Sequence, residues 1–590
     1  MSHASINKMA TGSTAIGNAI VWAAVLVVIG YWLNRSQEID VAYPIVRAPT
    51  ISCLSYAPFR RAGASPFLAG QVVPVGQIEE DLRLIKKYSQ CVRTYGVSQG
   101  LENVPAIAQK LGMQVKLGAW ISRDVTANQV ELNTAISLAQ RYTGTVDTLI
   151  VGNEVLLRKE LSVSQLALLL NSARIKSPVP VAYADVWEFW LQNAQLAQHV
   201  DIVGVHILPY WEDYPVGIQN AAEHVFSIAK KVQKVFPGKA LWVGETGWPS
   251  AGRQRGAAQP GVIEQSSFIR QMLIRLAEQK DSEKLTINFI EAFDQPWKKA
   301  LEGAMGGYWG MLDADGKAKF SFAGGVVEDK LWPGPAMMAM AVAAVLGLLF
   351  GTFIRGRDKS SRKNGWSLSL FIAGCASVSV GMLAATTQFA QIWNRTVLEW
   401  VVWGVSVVCV ALYSWGLLRR SLACQPTAAG GVSAYGVAAD NSVGESDLQA
   451  LASWPLIQTL GLFVVAMQLL LLAFDARYRG FNTALIALPA LFSLLHVLMN
   501  IAALSARPAI SGVVTHSRDY FLLAVIALCG IGVLFQEGFA NTQALLFVAA
   551  TELLVACLLA SSKLFDSSSR GISNSATPDS KSAGAARSAQ

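Results

Sequence analysis

Apolar segments long enough to cross a bilayer are the feature that most constrains this chain of 590 residues. The hydrocarbon core of a membrane needs about 20 mostly apolar residues in a helix. One such segment lies near the N-terminus, and the others follow one another through the second half of the chain. The predicted spans are Ile16–Leu33, 334–354, 366–386, 397–418, 454–474, 481–504, 519–536 and 543–561. The long interval between the first two has no such segment, so the chain is predicted to join a membrane part to a water-soluble part.

Charge separates the two parts and predicts an orientation. Residues 42–330 hold 30 Lys+Arg against 27 Asp+Glu, which leaves most of the formal net charge of +8 in the membrane part. The soluble part is therefore nearly balanced, and no nucleic-acid partner is predicted. The loop 355–365 carries five basic residues, and such loops stay on the cytoplasmic side of a membrane. Counting spans from this loop places both termini in the cytoplasm and residues 42–330 outside, which in a bacterium is the periplasmic side of the inner membrane.

These observations predict four regions of a multi-pass protein whose apolar helices contact membrane lipid. They are a cytoplasmic N-terminus with a membrane anchor at 1–41, a periplasmic domain at 42–330, a seven-helix membrane domain at 331–562 and a disordered cytoplasmic tail at 563–590.

Short β-rich runs alternate with helical patterns along the soluble domain. The runs are 51–59, 91–96, 114–121, 148–154, 180–187, 201–210, 240–249 and 287–297. Between them, segments such as 77–88 and 264–279 have apolar residues at the i, i+3, i+4 spacing of an amphipathic helix. Eight strand–helix units in about 280 residues are typical of a (β/α)8 TIM barrel. The predicted fold class is α/β, with this barrel joined to an α-helical membrane domain of about eight helices, one N-terminal and seven C-terminal.

The cysteines leave one question open. Of the seven in the chain, Cys53 and Cys91 lie in the predicted outer domain, on neighbouring predicted strands. Either a disulfide or two buried free thiols fits this placement, and the sequence favours the free thiols. No C-x-x-C or His/Cys cluster is present, so no metal is predicted.

Two glutamates follow predicted strands in glycine-flanked turns. Glu154 ends the fourth run as Gly152-Asn153-Glu154, and Glu245 ends the seventh as Gly244-Glu245-Thr246-Gly247. Catalytic groups of a TIM barrel lie at the carboxyl ends of its strands, so the two carboxyl groups are predicted to share one rim. A carboxylic acid opposite a carboxylate is the arrangement that glycoside hydrolysis requires. A lone glutamate would more often be a solvated loop residue, but two at matching positions favour catalysis.

The runs around these glutamates resemble glycoside hydrolase family 17, which contains β-1,3-glucanases and glucanosyltransferases. LWVGETGWPSAG at 241–252 is similar to the nucleophile motif of that family, and IVGNEV at 150–155 is similar to its acid/base motif. FIEAFDQPWK at 289–298 and GYWGMLDADGKAKF at 307–320 resemble its closing segments. The resemblance covers about 50–325 and extends to bacterial membrane-anchored members such as rhizobial β-(1,6)-glucan synthases.

The resemblance implies a retaining double displacement, with Glu154 as acid/base and Glu245 as nucleophile about 5–5.5 Å apart. It implies that Asn153 bonds the sugar 2-hydroxyl, and that Glu291 and Lys298 support the charge at the nucleophile, although a surface ion pair is the alternative for Lys298. The other residues predicted to bind substrate are Tyr56, Arg93, Tyr95, His206, Tyr210, Trp248, Asp294, Trp297 and Trp309. Leu208 and Gln295 depart from the family pattern, so the linkage preference is less constrained than the reaction class.

The function predicted from the sequence is a membrane-anchored retaining glucanosyltransferase that elongates or branches β-1,3/β-1,6-glucan in the periplasm without a cofactor. One alternative is an endo-β-1,3-glucanase. Others are a non-catalytic glucan-binding or export-accessory protein, and a transporter with an accessory barrel. The partners predicted are a β-glucan chain, membrane lipid and a glucan synthase or exporter. The membrane half has no Q-x-x-R-W or Walker A motif, so synthesis from an activated sugar inside the cell is disfavoured.

Overall fold

The computed structural model describes residues 51–279, 285–328, 341–342, 345, 362–423, 445–474, 479–504 and 516–573. These residues form two compact units, a barrel and a group of long helices. In the barrel, strands and helices alternate strictly along the chain. The strands are β1 (Cys53–Ser55), β2 (Cys91–Arg93), β3 (Gln114–Ala119), β4 (Val146–Asn153), β5 (Val181–Val186), β6 (Ile202–His206), β7 (Ala240–Thr246) and β8 (Thr286–Phe289). The helices are α1 (Val75–Ile85), α2 (Val104–Leu111), α3 (Val125–Arg141), α4 (Val163–Lys176), α5 (Trp187–Gln192), α6 (Ile218–Val235), α7 (Val262–Glu278) and α8 (Lys299–Glu302).

The eight strands close into one parallel barrel in sequence order, with β1 paired to both β2 and β8. The strands are buried along nearly their whole length, because side chains fill the barrel on one face and helices cover the other. Polar side chains at helix starts fix where helices begin: the Ser162 hydroxyl and the Gln165 amide form a reciprocal capping box at α4. The predicted (β/α)8 barrel is confirmed, and each of the eight predicted runs contains or overlaps one strand.

A disulfide joins Cys53 of β1 to Cys91 of β2. The sequence favoured two free thiols, and this preference was wrong. Pairing of β1 with β2 brings the two Cα atoms to 4.5 Å, close enough for a bridge. Sequence order made the strands neighbours, but only the register could bring the two positions opposite each other.

Six long helices make up the second unit. They are α9 (Arg362–Trp393), α10 (Val397–Ala423), α11 (Glu445–Phe474), α12 (Thr483–Leu504), α13 (Ser517–Glu537) and α14 (Thr542–Ser573). Among the described residues, four segments are long and apolar enough to cross a membrane: Val397–Leu418, Pro455–Phe474, Ser517–Glu537 and Thr542–Ser561. Within this unit, α12 packs against α9, α10 and α14, while α11 packs against α10 and α13.

The remaining predicted spans have different outcomes. A helix also covers 366–386, and a shorter apolar helix, Thr483–Leu498, lies within 481–504. Spans 16–33 and most of 334–354 lie outside the described residues. The tail predicted to be disordered from 563 is helical as far as Ser573, because Leu564 and Phe565 continue the apolar pattern and extending an existing helix costs little. The four-region division itself stays a prediction.

Candidate active site

Three side chains from β4, β6 and β7 or the residue after them meet at one rim of the barrel. Glu154 follows the last residue of β4, His206 ends β6, and Glu245 is the sixth residue of β7. A parallel barrel brings the carboxyl ends of all its strands to the same rim. One oxygen of each carboxyl group and one nitrogen of the imidazole all lie within 4.8 Å of one another. The predicted pair of carboxyl groups is therefore brought together, with a histidine between them.

Glu245 is buried among positive and donor groups. The residue is 5% exposed, and its Oε1 atom forms an ion pair with the guanidinium of Arg93 and accepts a hydrogen bond of 2.9 Å from the hydroxyl of Tyr95. Burial alone would raise the pKa of this carboxyl group, but the charges of His206, Arg93 and Lys298 outweigh it and lower the pKa to about 2. Glu245 is held as a carboxylate at every physiological pH.

Glu154 has a looser environment and an unusual backbone. Its side chain is 22% exposed, and its Oε1 atom lies 2.8 Å from Nδ1 of His206. Its φ of +52° lies in the left-handed region, which costs a residue other than glycine about 1–2 kcal/mol. The preceding Gly152, with φ of +88°, forms the other half of this turn. The fold therefore holds Glu154 in an unfavourable backbone conformation that directs its side chain to the rim. Such backbone strain is common at functional sites.

Arg93 ties the two glutamate loops together. It is fully buried at the end of β2, and its second terminal nitrogen donates to the side-chain oxygen of Asn153. Its guanidinium lies 4.3 Å from the ring centroid of Tyr95, a cation–π contact. One arginine thus fixes Asn153, next to Glu154, and Glu245 in a single arrangement.

Two further ion pairs follow β8. Lys298 Nζ donates to Glu291 Oε1 at 2.9 Å, and Lys319 Nζ donates to Asp294 Oδ1 at 2.6 Å. Glu291, Asp294 and Lys298 are buried and Lys319 is half-buried, so the alternative that Lys298 forms only a surface ion pair was wrong. The charge of Lys298 is one of the three that lower the pKa of Glu245.

Four of the aromatic residues predicted to bind sugar lie in the core. Tyr56 donates its hydroxyl to Asp81 Oδ2 at 2.9 Å, and Tyr210 packs edge-on against both Trp248 and Trp309. None of the four is more than 2% exposed. Contact between these side chains and a sugar would need their neighbours to move, so a direct role of these four rings in sugar binding stays a prediction. Aromatic residue type and proximity to a motif could not reveal this burial.

Two aromatic residues of the predicted set, Tyr95 and Trp297, remain half-buried, and Tyr95 already bonds Glu245. The ring of Trp297 packs edge-on against Phe67, which is 67% exposed, with centroids 5.7 Å apart. Phe67 belongs to the loop between β1 and α1 and was missed because nothing in its sequence context marks it. The pair presents an apolar surface of the kind on which sugar faces pack.

Asp185 is a second residue that the sequence analysis missed. It lies in β5, fully buried, and its carboxylate accepts from the Tyr183 hydroxyl and from the backbone N–H of Leu156 at 3.3 Å. Burial raises its pKa to about 6 despite the Tyr183 hydrogen bond, and the charge of Glu154 adds to the rise. Asp185 lies near the carboxyl end of the fifth predicted run, so the rule that selected Glu154 and Glu245, a carboxyl group at a strand end, could have found it.

The same three side chains are the set that could hold a metal ion among the described residues: Glu154, His206 and Glu245. The chemistry of the surroundings opposes a cation there, because Arg93 already pairs with Glu245 Oε1 and Lys298 adds a second positive charge. The donor set suits proton transfer and nucleophilic attack better than coordination.

Comparison with known proteins bears on the barrel. The profile of the BtgE/BtgC glycoside hydrolase domain matches residues 53–310. A glucan 1,3-beta-glucosidase of Candida albicans is 27% identical over 276 residues, which are 43% of this chain and 88% of the relative. A probable beta-glucosidase btgE of Aspergillus fumigatus is 29% identical over 234 residues, 38% of this chain and 39% of that protein. The solved β-1,3-glucanosyltransferase of Rhizomucor miehei is 26% identical, with a TM-score of 0.40, over 46% of this chain and 95% of that one.

A closed (β/α)8 barrel with paired carboxyl groups at the ends of β4 and β7, matched by this profile, is a glycoside hydrolase domain. More specifically, the barrel resembles β-1,3-glucanases and glucanosyltransferases of glycoside hydrolase family 17, through the matched domain and the glucan 1,3-beta-glucosidase relatives. The family resemblance of the two sequence motifs is thereby confirmed.

Proposed function

We propose that this protein is a membrane-anchored retaining glucanosyltransferase that elongates or branches β-1,3-glucan, including through β-1,6 linkages. The class of substrate, β-glucan, follows from the family and from relatives described as glucan 1,3-beta-glucosidases. The observation that carries the proposal is the approach of the Glu154 and Glu245 oxygens to within 4.8 Å. That spacing fits a retaining enzyme, whose carboxyl groups lie about 5–5.5 Å apart, and leaves too little room for the water of an inverting one.

Glu245 is the proposed nucleophile and Glu154 the proposed acid/base. The Glu245 carboxylate attacks the anomeric carbon, and the glycosidic C–O bond breaks as Glu154 gives its proton to the leaving oxygen. An acceptor hydroxyl then gives its proton to the Glu154 carboxylate and attacks the same carbon, and the glucosyl ester bond to Glu245 breaks. The low pKa of Glu245 supports the first role, because a nucleophile must be ionised. The partial exposure of Glu154 supports the second, because that group must meet both a departing and an arriving oxygen.

The other rim residues have supporting roles in this proposal. Arg93 and Tyr95 hold Glu245 in position by their contacts with its Oε1 atom. Asn153, adjacent to Glu154, is the proposed donor to the sugar 2-hydroxyl. Trp297 with Phe67 is the proposed apolar platform for a sugar ring.

We further propose that the chain is a multi-pass protein of a bacterial inner membrane, with the barrel in the periplasm and both termini in the cytoplasm. Four apolar helices support membrane insertion. The Cys53–Cys91 disulfide supports an oxidising compartment for the barrel. Contact with a glucan synthase or exporter is part of the same proposal. Protease added to intact spheroplasts should cut the barrel and spare the termini; protection of the barrel would overturn the orientation.

Hydrolysis is the second candidate, and it is favoured by the glucosidase names of the fungal relatives. Both reactions pass through the same glucosyl ester, which either water or a sugar hydroxyl can receive. The deciding experiment gives the purified full chain in detergent a defined laminari-oligosaccharide at high concentration and analyses the linkages of the products. Longer or branched products support transfer. Only shorter sugars at every acceptor concentration would leave a β-1,3-glucanase.

A further inference from the structure

His206 joins the two carboxyl groups of the rim instead of lining open space. Its Nδ1 atom lies 2.8 Å from Glu154 Oε1, and its Nε2 atom lies 3.8 Å from Glu245 Oε1. The residue is only 1% exposed, so a sugar cannot reach the ring without displacing its neighbours. The sequence predicted a substrate-binding role for His206, but its burial points to an action through the groups it touches.

The fold reserves the space that this ring occupies. Gly244 lies beside it on β7, and a Cβ atom at that position would come within 3.1 Å of the ring Cδ2 and 3.2 Å of Nε2. A larger residue at 244 would therefore push the imidazole away from one carboxyl group or the other. Glycine at position 244 therefore leaves room for the His206 ring, a packing requirement that is separate from turn formation.

The direction of the hydrogen bond follows from the chemistry of its partners. When Glu154 is ionised, its Oε1 atom only accepts, so in that state Nδ1 of His206 carries the hydrogen and donates to it. The ring is fully buried while the Glu154 side chain keeps part of its surface exposed. A substrate atom can meet the carboxyl group over this exposed part of its surface.

We infer that His206 is the positioning residue for Glu154. It holds one carboxyl oxygen so that the other faces the glycosidic oxygen, and it is the positive partner of the carboxylate that remains once Glu154 has given up its proton. The inference rests on the proposed function, because it requires Glu154 to be the acid/base.

The charges around the ring support its positive form. Three carboxyl groups face it, namely Glu154 after β4, Asp185 on β5 and Glu245 on β7, while Arg93 on β2 opposes them. Burial alone would lower the pKa of His206, but the two glutamates outweigh it and the net pKa is raised. A protonated ring is the counter-charge beside the Glu154 carboxylate that accepts the proton of the acceptor hydroxyl in the second step.

The experiment compares His206→Ala, His206→Asn and Glu154→Gln in the full chain in detergent, with two substrates. Cleavage of laminaritetraose needs an acid, whereas 2,4-dinitrophenyl β-laminaribioside has a leaving group that departs without one. For His206→Ala we expect kcat/KM to fall about 100-fold on laminaritetraose, within the usual range for general acid catalysis, and less than about five-fold on the dinitrophenyl substrate. His199→Ala is the matched control. This half-buried histidine lies just before the start of β6, at the opposite end of the strand from His206, and bonds Asn171.

The asparagine variant separates position from charge. Its side-chain nitrogen can donate from nearly the same place as Nδ1, so His206→Asn should recover most of the rate on laminaritetraose. Neither His206 variant supplies the positive charge of the histidine. In both, the basic limb of the kcat/KM pH profile should therefore shift upward by about one pH unit relative to the parent. A merely structural histidine would move neither quantity in this selective way.

Each outcome decides between the two levels of the proposal. If the two His206 variants lose kcat/KM equally on both substrates, or lose it on neither, the inference about His206 is overturned. The acid/base role of Glu154 is still supported in that case if Glu154→Gln loses kcat/KM on laminaritetraose only. If Glu154→Gln itself loses activity equally on both substrates, the proposed function fails first. Far-UV circular dichroism and thermal unfolding of each variant show whether the fold is retained.

Discussion

The rim of the barrel and the interior of the helical unit both bury polar side chains, but they arrange them differently. At the rim, ionised groups converge: Arg93, Glu245 and His206 lie in mutual contact or near-contact. In the helical unit, several described hydrogen bonds between helices join neutral groups. Thr386 of α9 exchanges hydrogen bonds of 3.0 and 3.1 Å with Asn482, at the start of α12.

Asp519 of α13 is a buried carboxyl group of this unit, with Arg518 Nε at 3.9 Å and His516 Nδ1 at 4.0 Å. It is 1% exposed and accepts hydrogen bonds from Thr459 at 2.8 Å and Gln458 at 3.4 Å, both on α11. These partners are a hydroxyl and an amide, which satisfy a carboxylate and link two helices. The rim instead buries several charged groups close together, which opposes folding but shifts their pKa values. Groups with shifted pKa values cluster at sites where reactions occur. The helices use polar groups to fix their packing.

The largest test of this contrast is Glu245→Gln. The isosteric amide keeps the shape of the site but removes the proposed nucleophile, so kcat should fall about 10⁴-fold, as for removal of other essential nucleophiles. Product formation from laminari-oligosaccharides measures it. The control is Asp147→Asn, a half-buried carboxyl group that pairs with Lys116 Nζ at 3.0 Å near the start of β4, at the opposite end of the strand from Glu154. Activity of the Glu245 variant within ten-fold of the parent would remove the distinction between rim and helices.

The contrast also explains what the sequence could predict. The eight alternating runs and the positions of Glu154 and Glu245 followed from strand periodicity and from the rule that strand ends share one rim. The role of Arg93 as a bridge between Asn153 and Glu245 needed three-dimensional contacts, because these residues lie 60 and 152 positions apart along the chain. Sequence spacing predicts which elements form, but the packing of side chains between elements decides which of them touch.

Burial was the second quantity that the sequence could not supply. Tyr56, Tyr210, Trp248 and Trp309 all occur in or near recognisable motifs, and their types suit sugar binding. The same apolar area makes aromatic rings favourable in a core, where full burial of a large side chain stabilises by about 1.5–3 kcal/mol. Residue type therefore could not separate a platform from a core ring. The disulfide was missed for a related reason, because only the register of β1 against β2 places Cys53 opposite Cys91.

The second prediction concerns that disulfide. Replacing Cys53 and Cys91 together by alanine releases a loop of 38 residues in the unfolded chain. Chain-entropy arguments give a loss of about 3–4 kcal/mol for a loop of this size. The temperature at which enzymatic activity is lost should fall by several degrees, while the helical unit is unaffected. Cys375→Ala, a free cysteine of α9, is the control. Equal losses in the two variants would contradict a barrel-specific bridge.

The third prediction concerns Arg93→Met, which removes charge but keeps much of the side-chain volume. We expect a fall in kcat/KM of about 100-fold, near the value of one strong charge-assisted contact in a buried site. The pKa of Glu245 should rise from about 2 toward the ordinary 4.5, so the acidic limb of the pH profile should move upward.

The sign for stability follows from the same shift. A lowered pKa means that Glu245 stabilises the fold fully above pH 4.5, and that this stabilisation is lost as the pH falls from 4.5 through about 2. Arg93→Met should flatten that loss. The control is Arg270→Lys, because Arg270 is buried and donates only to the carbonyls of Gly324 and Ser321 in the contacts described. An unchanged acidic limb in the Arg93 variant would show that the ion pair does not set the pKa of Glu245.

The smallest expected effect lies in the helical unit. Asn482→Leu removes the hydrogen bonds with Thr386 and the cap that Asn482 Oδ1 gives the backbone N–H of Leu485 at 3.4 Å. Trp403 of α10 still donates to the Thr386 hydroxyl at 3.3 Å, so that hydroxyl keeps one partner. Hydrogen bonds between membrane helices average about 0.6 kcal/mol, so unfolding of the helices in detergent should shift only slightly. Enzymatic activity should be unchanged, because neutral bonds between helices serve packing. A loss of activity without unfolding would mean that the helical unit contributes to the reaction. Polar groups of the helices would then serve more than packing, and the contrast with the rim would be wrong.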